Sequence, residues 1–381
     1  MKKISLLAFV SALLAFAGCI KIEGVSDMEG FTGSNVQVGD KNGVSGNLKL
    51  LILNEGAFPG ASTLDVLDFA GKKYYQDIFG QANPDVQQGL GNTGNDIEIA
   101  GSRIWLAMNA SNKVIGINMF SFKLEVDVEL PSPRCLLADD DYLYVTSYGA
   151  AIYGAPPTAG TLYRINLKDP KDVRSIMMGY QPEGIAIENG KIYVANSGGY
   201  NAVKDNRVTV IDQATFTSDT SFDLPVSNLN MIRKAFGKLW ISTYGEWSET
   251  YVQTAPASLV SLSTDGTANV IEGVHASKIT ECEGTIYAIG NQEEMTGGYD
   301  WCLYKVNTET HVVEKTRFAG TDLGGILNPY CILVNPLTMD IIIADAKFDG
   351  DSTLWCFDKN LNEKWSVKTG VGTGHLLLYQ M

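Results

Sequence analysis

The sequence predicts an all-β fold, a seven-bladed β-propeller of four-stranded blades that is closed by its C-terminal strand. Two observations lead to this prediction. A strand pattern with apolar residues recurs seven times, and further short strands flank each copy at the spacing expected of propeller blades. In addition, the stretch GHLLLYQ, Gly374 to Gln380, is a strand without a place in any complete unit.

Each predicted blade contains the recurring strand and its neighbours. The copies are LLILNEG, RIWLAMN, YLYVTSY, KIYVANS, KLWISTY, TIYAIGN and DIIIADA. The strands that follow them are TLDVLDF, KVIGINM, TLYRINL, RVTVIDQ, SLVSLST, CLYKVNT and TLWCFDK. A preceding strand is found before every copy except the first, so GHLLLYQ should complete the first blade and remove the exposed sheet edges. A six-bladed ring and a pair of open β-sandwiches are the alternatives, and the spare terminal strand argues against both.

The N-terminus has the pattern of a secretory signal. MKK is basic, ISLLAFVSALLAFA is an apolar core too short for a comfortable membrane span, and Ala17 and Gly18 precede Cys19. This resembles a bacterial lipobox, with Phe16 where Leu is usual. We expect a lipoprotein signal peptide over 1–18, a lipidated Cys19 with a flexible tether over 19–46, and the propeller over 47–381. An ordinary cleaved signal is the alternative.

Composition and motifs exclude several function classes. The formal net charge of -14 disfavours nucleic acid as a partner. Only three His are present, no Cys or His cluster has metal-ligand spacing, and no metal or cofactor is expected. The motifs GxSxG, HExxH and the Walker loop are missing, so the protein is expected not to be an enzyme. The remaining cysteines are expected to be buried free thiols, namely Cys135, Cys282, Cys302, Cys331 and Cys356.

One face of the propeller is the candidate binding surface. Because strand direction alternates, the loops between second and third strands share a face with the connections between blades. These loops are long and aromatic except in the second blade, where the loop NASN is tight, whereas the loops on the other face are short turns such as ENGKI and CEGTI. Such a face suits a bulky ligand with apolar faces and a polar periphery. The candidate ligand-binding residues are Phe58, Tyr153, Tyr200, Tyr244, Trp247, Tyr251, Tyr299, Trp301 and Phe348.

Packing between blades is the alternative role for these rings. This packing role applies most to Tyr200 and Tyr244, which lie near the ends of predicted strands. It applies less to Trp247 and Trp301, which are predicted to lie further into their loops. The loops also contain amides that could donate and accept hydrogen bonds, among them Asn54.

These features together resemble a known family. The Cys19 motif, the tether, the repeats and the stretches LNEGAFPGASTLDVLDF and SPRCLLADDDYLYVTSYG resemble the YncE-like lipoprotein propellers of gut Bacteroidetes, in particular the corrinoid-binding BtuG family. The resemblance covers the chain from about Leu48 to the end. It implies a lipid-anchored outer-membrane protein at the cell surface. Such a protein would capture cobalamin or a related corrinoid and deliver it to a TonB-dependent transporter. Capture of an iron–siderophore or haem, a propeller enzyme and a protein-interaction scaffold are the alternatives.

Overall fold

The chain forms a seven-bladed β-propeller, as predicted. The computed structural model describes residues 19–21, 28–38, 48–58, 60–149, 157–248, 250, 252–291 and 300–380. Six sheets have four antiparallel strands each, and a seventh sheet extends a four-stranded blade to six strands. The inner strand of the last blade contacts the inner strand of the first, so the ring is closed.

The strands of each blade are given from the channel outwards. Blade 1 consists of Thr373–Gln380, Leu48–Asn54, Thr63–Asp68 and Lys73–Tyr75. Blade 2 consists of Gly94–Ala100, Arg103–Met108, Lys113–Asn118 and Leu124–Glu129. Blade 3 consists of Pro133–Ala138, Tyr142–Ser147, Ala159–Asn166 and Val173–Tyr180. Blade 4 consists of Pro182–Glu188, Lys191–Asn196, Arg207–Asp212 and Thr217–Asp223.

The remaining three blades follow the same order. Blade 5 consists of Leu229–Ala235, Lys238–Thr243, Leu259–Ser263 and Ala268–Val270. Blade 6 consists of Lys278–Cys282, Thr285–Asn291, Trp301–Asn307 and Val313–Arg317. Blade 7 consists of Pro329–Val334, Ile341–Asp345, Asp351–Phe357 and Glu363–Val371.

The C-terminal strand closes the ring in the way the sequence predicts. Thr373–Gln380 pairs antiparallel with Leu48–Asn54, and Leu378 lies opposite Leu50. Neighbouring blades cover both faces of this sheet, which explains why LKLLILN is a continuous apolar run and why both of these leucines are buried. Hydrophobic clusters lie between neighbouring blades around the ring.

Two segments of the expected tether pack on blade 1. Cys19–Lys21 pairs in parallel with the end of the inner strand, and Ser34–Asn35 pairs with the outer strand. Met28 and Val38 are buried in the cores beside this blade. These described residues therefore differ from the flexible tether expected over 19–46, because apolar side chains within a polar segment find a surface to cover.

Short elements occupy the connections. An α-helix, Ile78–Ala82, follows blade 1, and a 3₁₀-helix, Asp322–Gly325, precedes blade 7. Glu246–Trp247 and Gln253–Ala255 form a small hairpin within blade 5. Among the described residues, no helix is both long and apolar enough to cross a membrane.

The two ends of the propeller differ in their loops. The end with the blade connections and the second-to-third loops is called the loop face, and the opposite end is called the hairpin face. Turns on the hairpin face are tight: Asn189 and Gly190 both have positive φ, 50° and 71°, as a two-residue hairpin turn requires. The structure therefore confirms the predicted contrast between long loops at one end and hairpins at the other.

Candidate functional site

The central channel encloses a cavity of about 560 Å³. Residues from all seven inner strands line it. Glu55, Tyr244 and Tyr330 border it near the loop face, and Asp139 and Lys234 border it near the hairpin face. Because every inner strand begins at the loop face, the first residues of seven strands meet at the mouth of this cavity.

A bidentate ion pair lies at the mouth. Arg134 donates to Glu183 through Nε at 3.1 Å and through Nη2 at 2.8 Å, the fork geometry in which such pairs are strongest. Its Nη1 donates to Asn95 at 2.6 Å, and the guanidinium lies 4.6 Å from the centre of the Tyr148 ring. Burial lowers the pKa of Arg134, but the charge of Glu183 outweighs it, so the pKa is raised and Arg134 stays charged.

Tyrosine hydroxyls complete the coordination of Glu183. Tyr148 donates to Oε1, and Tyr244 donates to the same atom at 3.4 Å. Burial, as the main cause, raises the pKa of both phenols, so both stay protonated and act as donors. This part of the mouth is thus a rigid and hydrogen-bonded wall.

Two other channel cations form no direct ion pair among the described residues, although the charge of Glu55 acts on Lys278 and that of Asp96 acts on Arg233. The Lys278 ammonium lies 4.6 Å from the centre of the Tyr330 ring, and no carboxylate oxygen of a described residue lies within 4.0 Å of it. Arg233 donates to the carbonyl of Ile232 at 2.8 Å and likewise forms no ion pair within the described part of the chain. Burial lowers the pKa of Lys278 and of Arg233.

Carboxyl groups in the channel have raised pKa values. Burial raises the pKa of Asp96 to about 6, although the backbone N–H of Leu136 donates to it at 2.8 Å. Burial and the charge of Asp96 raise the pKa of Glu98 to about 8. At neutral pH Glu98 is therefore mainly protonated and can donate a hydrogen bond.

His375 lies between two of these acids. Its Nδ1 is 3.6 Å from Asp96 and its Nε2 is 3.9 Å from Glu55. Burial, together with the positive charges of Lys278, Arg134 and Arg233, lowers the pKa of His375 to about 3. The imidazole is therefore neutral at neutral pH.

Four of the aromatic residues named from the sequence project into solvent. The exposed fraction is 82% for Phe58, 59% for Tyr200, and 41% for both Trp247 and Phe348. The Tyr200 ring packs edge-on against Tyr148 at 6.1 Å. Two of these rings thus rest on the wall of the mouth, since Phe348 packs edge-on against Tyr330 at 5.4 Å.

The other named residues are placed differently. Tyr244 lines the cavity. Trp301 donates its indole N–H to the carbonyl of Leu327 at 3.0 Å and packs on the core between blades 6 and 7. Tyr153, Tyr251 and Tyr299 lie outside the described residues. Cys19 pairs with Leu378 on the channel side of blade 1.

Sequence reasoning missed the charged residues of the channel. Their signal is a charge inside a strand that is otherwise apolar and innermost in its blade, as Glu98 in NDIEIAG and Arg233 in NLNMIRK. The inner strand has no blade beyond it, so a charge there can face the channel. The five cysteines named above are free thiols; Cys282, Cys302 and Cys356 are buried as expected, whereas Cys135 and Cys331 are only half-buried and line the cavity. In the described part of the chain, no group of three His, Cys, Asp or Glu residues could hold a metal ion.

Comparison with known proteins identifies the class by its fold. No protein-family model matches the chain, and no curated protein matches it. A putative 6-phosphogluconolactonase from Bacteroides fragilis aligns with a TM-score of 0.60 at 9% identity, covering 89% of this chain and 99% of that protein. Apo AztD from Citrobacter koseri aligns with a TM-score of 0.53 at 9% identity, covering 87% and 98%. Hydrazine synthase from Kuenenia stuttgartiensis aligns at 0.56 and 15% identity, covering 74% and 88%. Identities this low establish the propeller fold alone.

Proposed function

We propose that this protein is a ligand-capturing lipoprotein of the bacterial outer membrane, exposed at the cell surface. Its loop face would bind a large amphipathic nutrient, with cobalamin or a related corrinoid as the first candidate. It would then deliver this nutrient to a TonB-dependent transporter. The observation that carries the proposal is that exposed rings stand directly on the residues of the channel mouth.

The surroundings of the mouth combine apolar and polar groups. Tyr200 and Phe348 offer exposed ring surface, and the residues beneath them, Tyr148 and Tyr330, contact charged groups of the channel. Exposed rings that are supported by packing lose little side-chain entropy when a ligand covers them. This arrangement supports a ligand that has apolar faces and polar groups at its edge.

The path of the chain supports capture away from the membrane. Leu48, where the chain enters blade 1, pairs with Gln380 at the hairpin face, whereas Asn54 pairs with Thr373 at the loop face. A lipid anchor at Cys19 would therefore attach from the side of the hairpin face. The loop face would point away from the membrane and towards the ligand.

Calorimetric titration tests the proposal directly. We expect saturable binding of cobalamin to the purified protein, and weaker binding to Trp247→Ala. Phe236→Ala is the matched control, because Phe236 is exposed on the hairpin face and should not affect binding. Haem and ferric siderophores are titrated in parallel, and binding of one of these alone would replace the corrinoid as ligand. No heat with any of them would favour a protein-interaction scaffold, and turnover of a lactone would favour an enzyme.

Membrane attachment and ligand binding should depend on different parts of the protein. Cys19→Ala should release the protein from the membrane fraction without changing its affinity for the ligand, because the binding face lies at the opposite end of the blades. Fractionation and titration of the same variant measure both properties. Unchanged membrane attachment would show that Cys19 is not the anchor.

A further inference from the structure

We infer that the channel contains a second binding site, for an organic acid with one carboxylate and an apolar body. The site is built from inner-strand residues and not from the aromatic rings of the loop face. It goes beyond the proposed function, because it requires neither a corrinoid nor a transporter.

Lys278 and Arg233 form no direct ion pair with a carboxylate among the described residues. Arg134, in the same channel, has Glu183 as a bidentate partner. Lys278 contacts the face of Tyr330 and Arg233 donates to a neighbouring carbonyl, whereas the charges of Glu55 and Asp96 act on them without a direct ion pair among the described residues. Enclosed charges without a hydrogen-bonded counter-charge are costly, and a bound carboxylate would supply a direct partner.

These cations line one cavity. His375 lies in the channel wall, and the charges of Lys278, Arg134 and Arg233 all act on its ring. Arg134, Arg233 and Lys278 all line the same cavity as His375. Because His375 is neutral, its ring can donate a hydrogen bond to an anion without adding to the charge.

The acids of the channel limit the ligand to a single negative charge. Glu55, Asp96 and Glu98 line the same cavity as the cations. A phosphate dianion would be repelled by those acids that are ionised. A single carboxylate meets less repulsion, and it can accept a hydrogen bond from Glu98, which is protonated at neutral pH.

The size and the apolar lining of the cavity determine the rest of the ligand. The cavity of about 560 Å³ falls in the usual range for small-molecule sites. The apolar residues of the lining that are only half-buried include Leu137, Ile187, Met231, Leu376 and Leu377. These side chains suit an aliphatic or aromatic body, so an acid of the size of benzoate or octanoate is the expected class.

The test compares acids with their neutral isosteres by calorimetry on the full protein. The probes are benzoate and octanoate, their amides benzamide and octanamide, and inorganic phosphate. We expect saturable binding of at least one acid, with the matching amide and phosphate weaker by about tenfold or more. Lys278→Met should weaken the acid by a similar factor, and Lys278→Arg should restore much of it. Lys168→Met, at an exposed lysine paired with Asp141, is the control and should change nothing.

The inference is overturned if neither acid binds, if an amide binds as well as its acid, or if Lys278→Met leaves the affinity unchanged. A melting curve checks that each variant is folded. If Lys278→Met does not fold, the rate of acetylation of Lys278 is measured in the unaltered protein with and without octanoate. The site requires that octanoate slows this acetylation, and equal rates would refute the site. Trp247→Ala should leave acid binding intact, so failure of the corrinoid proposal and failure of this inference are separate results.

Discussion

Two buried polar clusters in this propeller differ in how completely their groups are paired. The closure cluster, formed by Asn54, Asp65, Tyr74 and Thr373, joins blade 1 to the end of the chain. Asp65 accepts from the Tyr74 hydroxyl, from Asn54 at 2.6 Å, and from the backbone N–H groups of Asp77 and Gly370 at 2.8 and 3.3 Å. Thr373 donates to Asn54 at 2.6 Å. The channel cluster, by contrast, leaves Lys278 and Arg233 without a carboxylate partner among the described residues.

This difference separates a structural role from a binding role. Burial raises the pKa of Asp65 in the closure cluster just as it raises the pKa of Asp96 and Glu98 in the channel. A perturbed pKa alone therefore does not mark a functional site. Complete pairing indicates a cluster that holds the fold together, whereas charges left open towards a cavity indicate a place for a ligand.

The largest effect should come from removing the closing strand. A chain that ends at Gly372 would leave Leu48–Asn54 with an exposed edge, and it would lose the buried residues Leu378 and Tyr379. We expect loss of the cooperative melting transition, measured by calorimetry. A chain that lacks residues 1–27 is the control and should melt cooperatively, since the short parallel strand Cys19–Lys21 is the part of that segment that the structure describes. A truncated chain that melts like the full one would contradict the role of closure.

The second prediction concerns the pairing inside the closure cluster. Asp65→Ala leaves Tyr74 and the two backbone groups without this acceptor and leaves Asn54 with Thr63 alone, so it should lower the free energy of unfolding by about 3 kcal/mol. Tyr74→Phe removes one donor and should cost about 1 kcal/mol. Urea denaturation measures both values, and ligand titration should be unchanged in both variants. Equal and small losses would mean that the cluster is solvated and does not hold the ring.

The contrast between the clusters also shows what the sequence could and could not predict. Strand alternation and repeats are local patterns, so the blade count and the closing role of GHLLLYQ could be predicted from them. The channel cluster depends on which side chains of seven separate strands meet, and no local pattern encodes that. The sequence pattern assigns Asn54 to the loop amides, but its hydrogen bonds to Thr63 and Asp65 place it in the blade.

Two tryptophans illustrate the same limit. Trp247 and Trp301 both stand in aromatic stretches that the sequence assigns to one face. Trp301 begins a strand and bonds to Leu327, from another blade connection, whereas Trp247 is on an exposed hairpin. Only the fold, by bringing Leu327 next to Trp301, distinguishes them.

The third prediction uses this pair of residues. Trp247→Ala should weaken capture of the ligand by about 2 kcal/mol, the effect of losing an aromatic anchor, and should leave the melting temperature nearly unchanged. Trp301→Ala should show the reverse, with a stability loss of about 2 kcal/mol and intact affinity. Titration measures the affinity of both variants for the ligand, and melting curves measure the stability of both. Lost stability in Trp247→Ala with unchanged affinity would exclude the hairpin from the site and restrict it to the rings at the channel mouth.

The smallest expected effect is a pH dependence at Glu98. Its pKa is about 8 in the folded protein, against 4.5 for an ordinary Glu, so the folded state binds this proton more tightly than the unfolded state. By linkage, Glu98 imposes no penalty on folding below about pH 4.5 and an increasing penalty as the pH rises to about 8. Glu98→Gln is neutral at every pH and avoids this penalty.

The stability of Glu98→Gln relative to the unaltered protein should therefore increase from about pH 5 to about pH 9. Melting temperatures of both proteins over this range measure the change, and taking the difference cancels the titration of other groups. Asp65→Asn is the comparison from the closure cluster. Because four donors converge on Asp65, that variant should be less stable than the unaltered protein throughout the range. A constant difference for Glu98→Gln would show that water in the channel keeps Glu98 ionised, which would remove its hydrogen bond from the proposed organic-acid site.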